Sequence, residues 1–405
     1  MKVMQINAVF GLGSTGKIVA DMHALCLENG IESYVAYSTA DRPDREIVNG
    51  YRIGGTLGKK MHAFLSRLSG KQGYYSRCAT RRLLRYMDLV SPDIVHLHNL
   101  HSNFIHLNKL LKYLAQKDIP TVVTVHDCWL FTGGCFHYTA KGCQAWLEAC
   151  AACPYRRGEL PVPFFRRAKR ILRDRKKYFL AIPRLTVCGV SEWTANEARR
   201  TFLSEKSVCT VYNGIDFNTF YPEKSNFRET LDVQDRFVLL GPASKWLEPV
   251  NREVLLGVSR GLPKDAVLLL FGHRGDKDIS LPLNVKVLPH TSDTDELRRI
   301  YSAADVFVNC TRQDTLSLVN VEAQACGTPV VTFDNTGVRE TVDGKCGFAV
   351  ETGNVTALLE RIEAVRQMDK GALSEQCRAF VQSKFERNQN YREFLGLYRK
   401  IHDET

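Results

Sequence analysis

One stretch of thirty residues, 304–333, constrains the path of the chain more than any other part of the sequence. An apolar run at 304–310 predicts a strand, a helical pattern follows after a loop, and a Gly-Thr-Pro turn ends the helix before a β-branched run. Strand, loop, helix, turn and strand form one βαβ step of a parallel sheet. Two carboxylates lie within it, Asp314 in the loop and Glu322 in the helix. Because open α/β sheets bind ligands at the carboxyl ends of their strands, the sequence predicts both acids at a ligand site.

The rest of the chain repeats this alternation, which predicts an α/β protein with doubly wound parallel sheets. The strands predicted in the N-terminal half are 3–9, 32–37, 93–97, 121–125 and 184–190, and the helices are 17–29, 77–89, 103–116 and one starting at Ser191, where Ser-x-x-Thr forms a cap. The strands predicted in the C-terminal half are 237–240, 266–271, 285–288, 306–309 and 330–333, and the helices are 251–260, 294–303, 318–325, 355–367 and 372–399.

The length of the chain indicates two domains, because 405 residues exceed one ordinary hydrophobic core. We expect a first domain at 1–211 with a cysteine-rich insertion at 128–154, and a second domain at 212–380. The hinge is predicted at 211–220. A final helix at 381–405 is predicted to pack back on the first domain.

The composition is that of a folded globular protein, with 24% charged and 44% hydrophobic residues. No apolar run reaches the ~18–20 residues that span a bilayer, and the first residues predict a buried strand rather than a signal peptide. Thirteen cysteines without a secretion signal suggest reduced thiols. We therefore expect a cytoplasmic protein.

The formal net charge of +11 is concentrated at 166–177, where eight residues are basic and one is acidic. Apolar residues flank or interrupt this run, among them Phe164, Phe165, Ile171 and Leu172. Such a helix could lie on the anionic inner face of the cytoplasmic membrane, or it could pack its apolar residues on the domain and leave its charges in water. No nucleic-acid-binding motif accompanies the charge, so no nucleic-acid partner is expected.

A glycine-rich segment near the N-terminus, Gly11-Leu-Gly13-Ser14-Thr15-Gly16, has the G-x-G-x-x-G spacing between a strand and a helix that is typical of dinucleotide sites. NAD binding also needs an acid at the end of the second strand, where the sequence has Ala-Tyr-Ser at 36–38. Backbone amides and a helix N-terminus nevertheless favour an anionic ligand here. The alternative is a tight turn that serves only helix packing.

Two histidines follow strands of the first domain, His98 after 93–97 and His126 after 121–125. Both are therefore predicted at the carboxyl edge of the sheet. His126 could orient a ligand or stabilise developing charge, and the alternative is a buried histidine with a structural role.

Four cysteines in the insertion, Cys135, Cys143, Cys150 and Cys153, include one Cys-x-x-Cys pair. Four thiols can form a tetrahedral zinc site in a reducing compartment. The sequence leaves structural zinc, a local disulfide and free buried thiols open.

The stretch from Asp314 to Val331, with its Glu-Ala-x-Ala-Cys-Gly-Thr-Pro-Val-Val ending, resembles the paired-acid signature of family 4 glycosyltransferases. Further matches are Val-Ser-Glu-Trp at 190–193, Asn-Gly-Ile-Asp at 213–216 and Thr-Gly-Val-Arg-Glu at 336–340. Residues 124–154 resemble a sub-branch in bacterial polysaccharide synthesis of the colanic-acid type. The resemblance implies the GT-B fold, in which two Rossmann-like domains face a cleft.

The resemblance also implies a role for each matching residue in a retaining enzyme that uses a nucleotide-diphosphate sugar. Glu322 would bind the ribose, and His126 and Asp314 would lie beside the donor sugar. The other donor-binding positions would be Gly13, Ser14, Thr15, Gly16, Ser244, Lys245, Thr315, Leu316, Ser317 and Leu318. No catalytic metal or cofactor is expected.

The sequence departs from the family pattern at two positions. The first acid is commonly Glu, and Asp314 is one methylene shorter. The family commonly carries two basic residues five apart that hold the diphosphate; Lys245 matches the first, but Glu248-Pro-Val occupies the region of the second. Arg252 or Arg274 would then have to compensate.

The predicted function is therefore transfer of a sugar to a hydroxyl of a growing, lipid-linked glycan in cell-surface polysaccharide biosynthesis. One alternative is a catalytically degenerate GT-B scaffold that binds a glycan or a partner enzyme. Another is an NAD-binding oxidoreductase.

Overall fold

The computed structural model describes residues 1–151, 153, 167–272, 280–291 and 293–404. Contacts divide it into two units, Met1–Tyr212 with Tyr391–Thr405, and Asn213–Asn390. Each unit is built around one large parallel sheet. None of the described helices is both long and apolar enough to cross a bilayer.

The described residues of the first unit form nine strands: β1 Lys2–Ile6, β2 Val9–Phe10, β3 Glu32–Tyr37, β4 Thr39–Ala40, β5 Gly50–Arg52, β6 Ile94–Leu97, β7 Thr121–Val125, β8 Leu185–Gly189 and β9 Ser207–Thr210. Seven of them form a parallel sheet in the order β5-β3-β1-β6-β7-β8-β9, and β2 pairs with β4. Its helices are α1 Gly13–Glu28, α2 Thr56–Ser69, α3 Arg77–Val90, α4 Leu107–Gln116, α5 Ala145–Glu148, α6 Ala168–Leu180 and α7 Glu192–Arg199.

The second unit contains α8 Phe227–Thr230, β10 Phe237–Pro242, α9 Ala243–Trp246, α10 Arg252–Gly261, β11 Ala266–Phe271, β12 Val285–Val287, α11 Thr294–Ala303, β13 Val306–Asn309, α12 Leu318–Ala325, β14 Val330–Asp334, β15 Gly347–Glu351, α13 Val355–Arg366 and α14 Lys370–Phe385. Its six strands are parallel, in the order β12-β11-β10-β13-β14-β15. The last helix, α15 Arg387–Asp403, belongs to the first unit from Tyr391 onward.

The central strands are buried along their whole length because helices cover both faces of each sheet. Every residue of β6, β7, β11 and β13 is buried. The predicted cap at Ser191 is present as a full capping box, in which Ser191 and Thr194 each satisfy a backbone N–H of the other. Phe394 and Tyr398 of α15 are buried in the same cluster as Val3 and Ile18 of the first unit.

The structure corrects two predictions of local structure and adds elements that were not predicted. The helix predicted to begin at residue 17 begins at Gly13, so Gly13–Gly16 is its first turn rather than a loop. The single helix predicted at 372–399 is two helices, because Glu386 leaves the helical conformation and forms a bridge with Ile215. Strand β15 and helix α2 were not predicted.

Candidate active site

A buried polar network fixes the acid loop, which we define as residues 310–317 between β13 and α12. Asn309, the last residue of β13, donates from Nδ2 to Ser317 Oγ at 2.9 Å and to Asn320 Oδ1 at 2.8 Å. Asn320 then donates to Thr341 Oγ1 at 2.9 Å. Because buried polar groups lose free energy when unpaired, these bonds favour one conformation of the acid loop.

Asp314 lies half-buried in the acid loop, supported by the segment that follows β14. Its backbone N–H donates to Thr336 Oγ1 at 3.1 Å, and Asn335 Nδ2 donates to the carbonyl of Thr311 at 3.0 Å. Thr315, Leu316 and Ser317 are buried, and Leu318 is the first residue of α12. Ser317 makes no side-chain cap to α12 because its hydroxyl accepts from Asn309 instead.

Glu322 extends from α12, half-buried, beside a tyrosine of α11. Tyr301 Oη donates to Glu322 Oε2 at 2.8 Å. Burial, and then the charge of Glu322, raises the pKa of Tyr301 well above its usual value. Tyr301 therefore remains a hydrogen-bond donor at neutral pH, and it fixes one carboxylate oxygen of Glu322. A carboxylate has about four lone-pair sites, so Glu322 keeps the capacity to accept ligand hydroxyls.

Lys245 and the acid loop follow neighbouring strands, because β10 pairs with β13. Ser244 is exposed and Lys245 half-buried in the short α9. Lys245 Nζ lies 3.3 Å from Glu248 Oε1. Glu248, which lies in the region where the family commonly has its second basic residue, therefore forms an ion pair with Lys245, which matches the first basic residue.

Arg312 is a basic residue of the acid loop that the sequence analysis missed. Its Nε donates to Asn251 Oδ1 at 2.8 Å, and Asn251 Nδ2 donates to the carbonyl of Lys245 at 3.0 Å. Asn251 thus joins the Arg312 and Lys245 segments. Of the two residues expected to compensate, Arg252 is exposed on α10 and Arg274 lies outside the described residues. Nothing in the local sequence distinguishes Arg312, since its position depends on a partner 61 residues away.

In the first unit, Gly13, Ser14, Thr15 and Gly16 form the first turn of α1, and Leu12 at its N-cap makes no side-chain cap. Gly13 and Ser14 are exposed and Thr15 is half-buried. Gly11 has φ 71°, and a Cβ there would meet the Asp41 carboxyl group at 2.2 Å. A glycine is therefore required where the chain enters this helix.

His98 and His126 meet at the carboxyl edge of the first sheet, since β6 and β7 are neighbours. His98 Nδ1 lies 3.1 Å from His126 Nε2, so one nitrogen donates and the other accepts. Burial, opposed in part by Asp127, lowers the pKa of His126 to about 4. Burial and the neighbouring His96 lower that of His98 as well. Both rings are therefore neutral at pH 7, and His126 can act as a hydrogen-bonding group rather than a cation.

The four cysteines of the insertion lie in one place. Cys135, Cys143, Cys150 and Cys153 all line one cavity of about 40 Å³. All of them are free thiols.

The basic run at 166–177 is a helix from Ala168, and Phe164, Phe165 and Arg166 lie outside the described residues. Ile171, Leu172 and Phe179 are buried against the first unit. The apolar residues of α6 therefore pack on the protein, and its exposed surface is basic.

Helix α2 instead exposes a row of apolar side chains, which we call the α2 stripe: Leu57, Met61, Phe64 and Leu68. Their exposed fractions are 79%, 53%, 56% and 40%. The spacing places them on one face of the helix. Contiguous exposed apolar surface of this kind marks interaction sites.

A cavity of about 730 Å³ lies beside the α2 stripe, between α2 and α3. Arg52, Lys59, Arg77 and Arg82 line it, together with apolar residues that include Met61. No acidic residue is among the described residues that line this cavity. It combines positive charge with apolar surface.

Two family profiles match most of the chain. The profile described as "Glycosyltransferase Family 4" matches residues 16–219, and "Glycosyl transferases group 1" matches residues 244–367. WcaC of Escherichia coli K12, named as a colanic acid biosynthesis glycosyl transferase, is 22% identical over 381 residues, which are 89% of this chain and 90% of the relative. CapM of Staphylococcus aureus, named as a capsular polysaccharide biosynthesis glycosyltransferase, is 31% identical over 235 residues, 52% of this chain and 60% of the relative.

Solved structures confirm the predicted fold. Sucrose-phosphate synthase from Thermosynechococcus elongatus has a TM-score of 0.71 at 17% identity, with 100% of both chains covered. Anabaena HepE in complex with UDP has a TM-score of 0.64 at 16% identity, with 99% of this chain and 100% of that chain covered. The two parallel-sheet units are therefore the Rossmann-like units of the GT-B fold, and the chain belongs to glycosyltransferase family 4.

Proposed function

We propose that this glycosyltransferase is a retaining enzyme that transfers a sugar from a nucleotide-diphosphate sugar to a hydroxyl of a lipid-linked glycan in cell-surface polysaccharide biosynthesis. The names of WcaC and CapM support the polysaccharide context. Family membership sets aside the NAD oxidoreductase alternative.

The observation that carries the donor assignment is the Tyr301–Glu322 pair next to the acid loop. An oriented carboxylate is suited to accept both ribose hydroxyls of a nucleotide. HepE, a structural neighbour, has been solved with UDP and with UDP-glucose. In our proposal Asp314 lies beside the donor sugar, and His126 donates to a sugar hydroxyl as a neutral ring.

The diphosphate needs positive charge, and three features of the second unit supply it. Lys245 and Arg312 are basic residues joined through Asn251. The N-terminus of α12 adds the positive end of a helix dipole. Arg312 replaces the second basic residue in our proposal, because a guanidinium can hold phosphate oxygens in bidentate fashion. The carboxylate of Glu248 repels the diphosphate and occupies Lys245. In our proposal Lys245 leaves this ion pair to bind a phosphate group.

The reaction would be a front-face displacement. The bond between the anomeric carbon and the phosphate oxygen breaks, and the acceptor hydroxyl oxygen bonds to that carbon on the same face. The proton of the acceptor hydroxyl passes to the leaving phosphate oxygen. Lys245, Arg312 and the amides of the α12 N-terminus would stabilise the charge on the departing diphosphate.

The acceptor assignment rests on the cavity between α2 and α3. Its four basic residues suit the phosphate groups of a lipid-linked glycan, and the α2 stripe next to it suits the apolar surface of a membrane. The exposed basic residues of α6 would add attraction to anionic lipids.

The decisive experiment is a thermal-shift titration with UDP, GDP, ADP and, as a negative control, NAD. A ligand at 100 times its dissociation constant stabilises a protein by about 2.7 kcal/mol, which is visible as a shift in melting temperature. A shift with one nucleotide diphosphate supports the proposal and identifies the base.

A second candidate function is the non-catalytic GT-B scaffold, which the Lys245–Glu248 pair favours. This candidate predicts a folded protein with no shift for any nucleotide diphosphate. In that case binding of a glycan or a partner enzyme becomes the function to test.

A further inference from the structure

The four cysteines of the insertion lie around a space of the size of a single ion or water molecule. The cavity that they line is about 40 Å³, and one water occupies roughly 30 Å³ in the liquid. All four side chains are of intermediate exposure, unlike core cysteines such as Cys188 or Cys310, which are buried. They therefore remain accessible to a metal from solution.

The backbone around Cys150 is shaped for close approach of its sulfur. The N–H of Gly133 donates to Cys150 Sγ at 3.2 Å. A Cβ at Gly133 would lie 2.9 Å from the Cβ of Cys150 and 2.7 Å from that of Ala168, so only glycine fits. Cys150 itself adopts a left-handed backbone conformation, with φ 50°. Backbone N–H groups that donate to the ligand atoms are typical surroundings of metal-bound thiolates.

A buried cation next to the cysteines, Arg175, has no salt-bridge partner among the described residues. Arg175 of α6 is 1% exposed, and its guanidinium stacks 3.6 Å from the ring centre of Trp129. Nη1 donates to the carbonyls of Trp129 and Thr132, but Nε and Nη2 have no hydrogen-bond partner. Within the described ranges no carboxylate forms a salt bridge with Arg175, and the acidic groups within electrostatic range of it include Asp127, Cys150 and Cys135. A buried guanidinium without an anion is costly.

We propose that Cys135, Cys143, Cys150 and Cys153 bind one structural zinc ion as thiolates, and that Arg175 is the counter-charge of the resulting site. One Zn²⁺ and four thiolates have a formal charge of −2, and the positive charge of Arg175 would partly balance it. Soft thiolate ligands in tetrahedral number select zinc among abundant divalent metals, with iron–sulfur chemistry as the competitor. Binding releases the thiol protons to solvent.

In our proposal the four sulfur atoms move closer together when zinc binds. In the part of the chain that the structure describes, no three His, Cys, Asp or Glu side chains are already arranged to hold a metal.

Metal analysis of the full-length protein tests the proposal without any substitution. The protein is purified without chelating resin and without added metal, and its zinc content is measured by mass spectrometry. We expect about one zinc per chain. Less than a tenth of that, iron in its place, or a disulfide among the four cysteines overturns the proposal.

Variants assign the ligands. Cys143→Ser and Cys150→Ser should each lose at least nine-tenths of the zinc, whereas Cys78→Ser, an exposed cysteine on α3, should keep it. If the ligand variants fail to fold, cobalt is added to zinc-depleted wild-type protein and its absorption spectrum is measured. Tetrahedral cobalt with four sulfur ligands has a characteristic charge-transfer absorption, so the spectrum shows whether the cysteines bind the metal. Arg175→Met should speed zinc loss to EDTA at least several-fold. Zinc retained in both ligand variants, a cobalt spectrum without sulfur ligation, or an unchanged rate in Arg175→Met contradicts the corresponding assignment.

Discussion

Glu322 is the residue on which the donor assignment depends most directly. Its carboxylate accepts from Tyr301, and it belongs to α12, the helix that follows the acid loop. Glu322→Gln keeps the shape and one acceptor oxygen but removes the charge. Because hydrogen bonds to charged groups contribute about 1.5–3 kcal/mol, we expect roughly 10- to 100-fold weaker nucleotide-diphosphate binding by calorimetry.

The control for this variant is Glu360→Gln, an exposed carboxylate on α13 of the same unit. It should leave both affinity and melting temperature unchanged. Unchanged affinity in Glu322→Gln would remove the ribose role, and an equal loss of stability in both variants would indicate a general effect of charge.

Arg312 and Glu248 should have opposite effects on diphosphate affinity. Arg312→Ala removes the proposed second cation, and Glu248→Gln releases Lys245 from its ion pair and removes a repelling charge. We expect at least tenfold weaker binding of the nucleotide diphosphate in the first variant and tighter binding in the second. Affinity for the nucleoside without phosphates should not change in either.

Arg252→Ala is the matched control for Arg312→Ala, because Arg252 is exposed on the neighbouring helix. Parallel losses for the nucleoside and the diphosphate in Arg312→Ala would show that the acid loop had been disturbed and that no phosphate contact had been lost. The role of Arg312 could not be predicted because it depends on the bond to Asn251, a tertiary contact that leaves no local pattern.

At the scale of elements, hydrophobic periodicity predicted the bounds of strands and helices best where the strands are wholly buried and the helices end in clear turn residues. The bounds of β11, β13, α11 and α12 are those expected from the sequence. The break at Glu386 was missed because no glycine or proline marks it; the chain leaves the helix there to pair with Ile215. Helix α2 was not predicted, and the predicted membrane contact was placed on the basic run of α6 instead.

The α2 stripe should control vesicle binding. Replacing Leu57, Met61, Phe64 and Leu68 by serine removes apolar side chains that would otherwise move from water into the membrane interface. We expect at least tenfold weaker cosedimentation with anionic vesicles. Because the four side chains are exposed, each substitution should change the free energy of unfolding by only about 0.5 kcal/mol.

Charge reversal on α6, Lys176→Glu with Lys177→Glu, provides the comparison for the α2 stripe. It should weaken binding to anionic vesicles at low salt and have little effect at high salt, since surface electrostatics are screened. If the serine variant binds as the wild type does and the α6 variant does not, α6 is the membrane contact and the α2 stripe has another partner.

For the whole molecule, the sequence predicted two parallel-sheet units and the edges where the acids and histidines lie, because both follow from alternation along the chain. It could not predict how charges balance within each unit. The Arg312–Asn251 bond and the buried Arg175 appear only when distant segments pack together.

The buried histidines make the stability of the first unit depend on pH. The pKa values of His62 and His126 are lowered to about 4, chiefly by burial, and those of His23, His96, His98 and His106 are lowered as well. Between pH 6.5 and 4 the unfolded chain binds more protons than the folded one, so stability falls as the pH falls through this range and is constant above it. At pH 5, His62 and His126 should each lower the free energy of unfolding by about 2 kcal/mol.

The measurement is urea unfolding at several pH values, followed by hydrogen exchange pulses at one fixed pH that report each unit separately. The first unit should become less stable as the pH falls. The second unit should change little, because its described histidine, His290, is exposed. His62→Gln with His126→Gln should reduce this dependence, and the remaining buried histidines, among them His106 with a pKa of about 4, should keep part of it. An equal slope in both units of the wild type would show that histidine burial is not its cause.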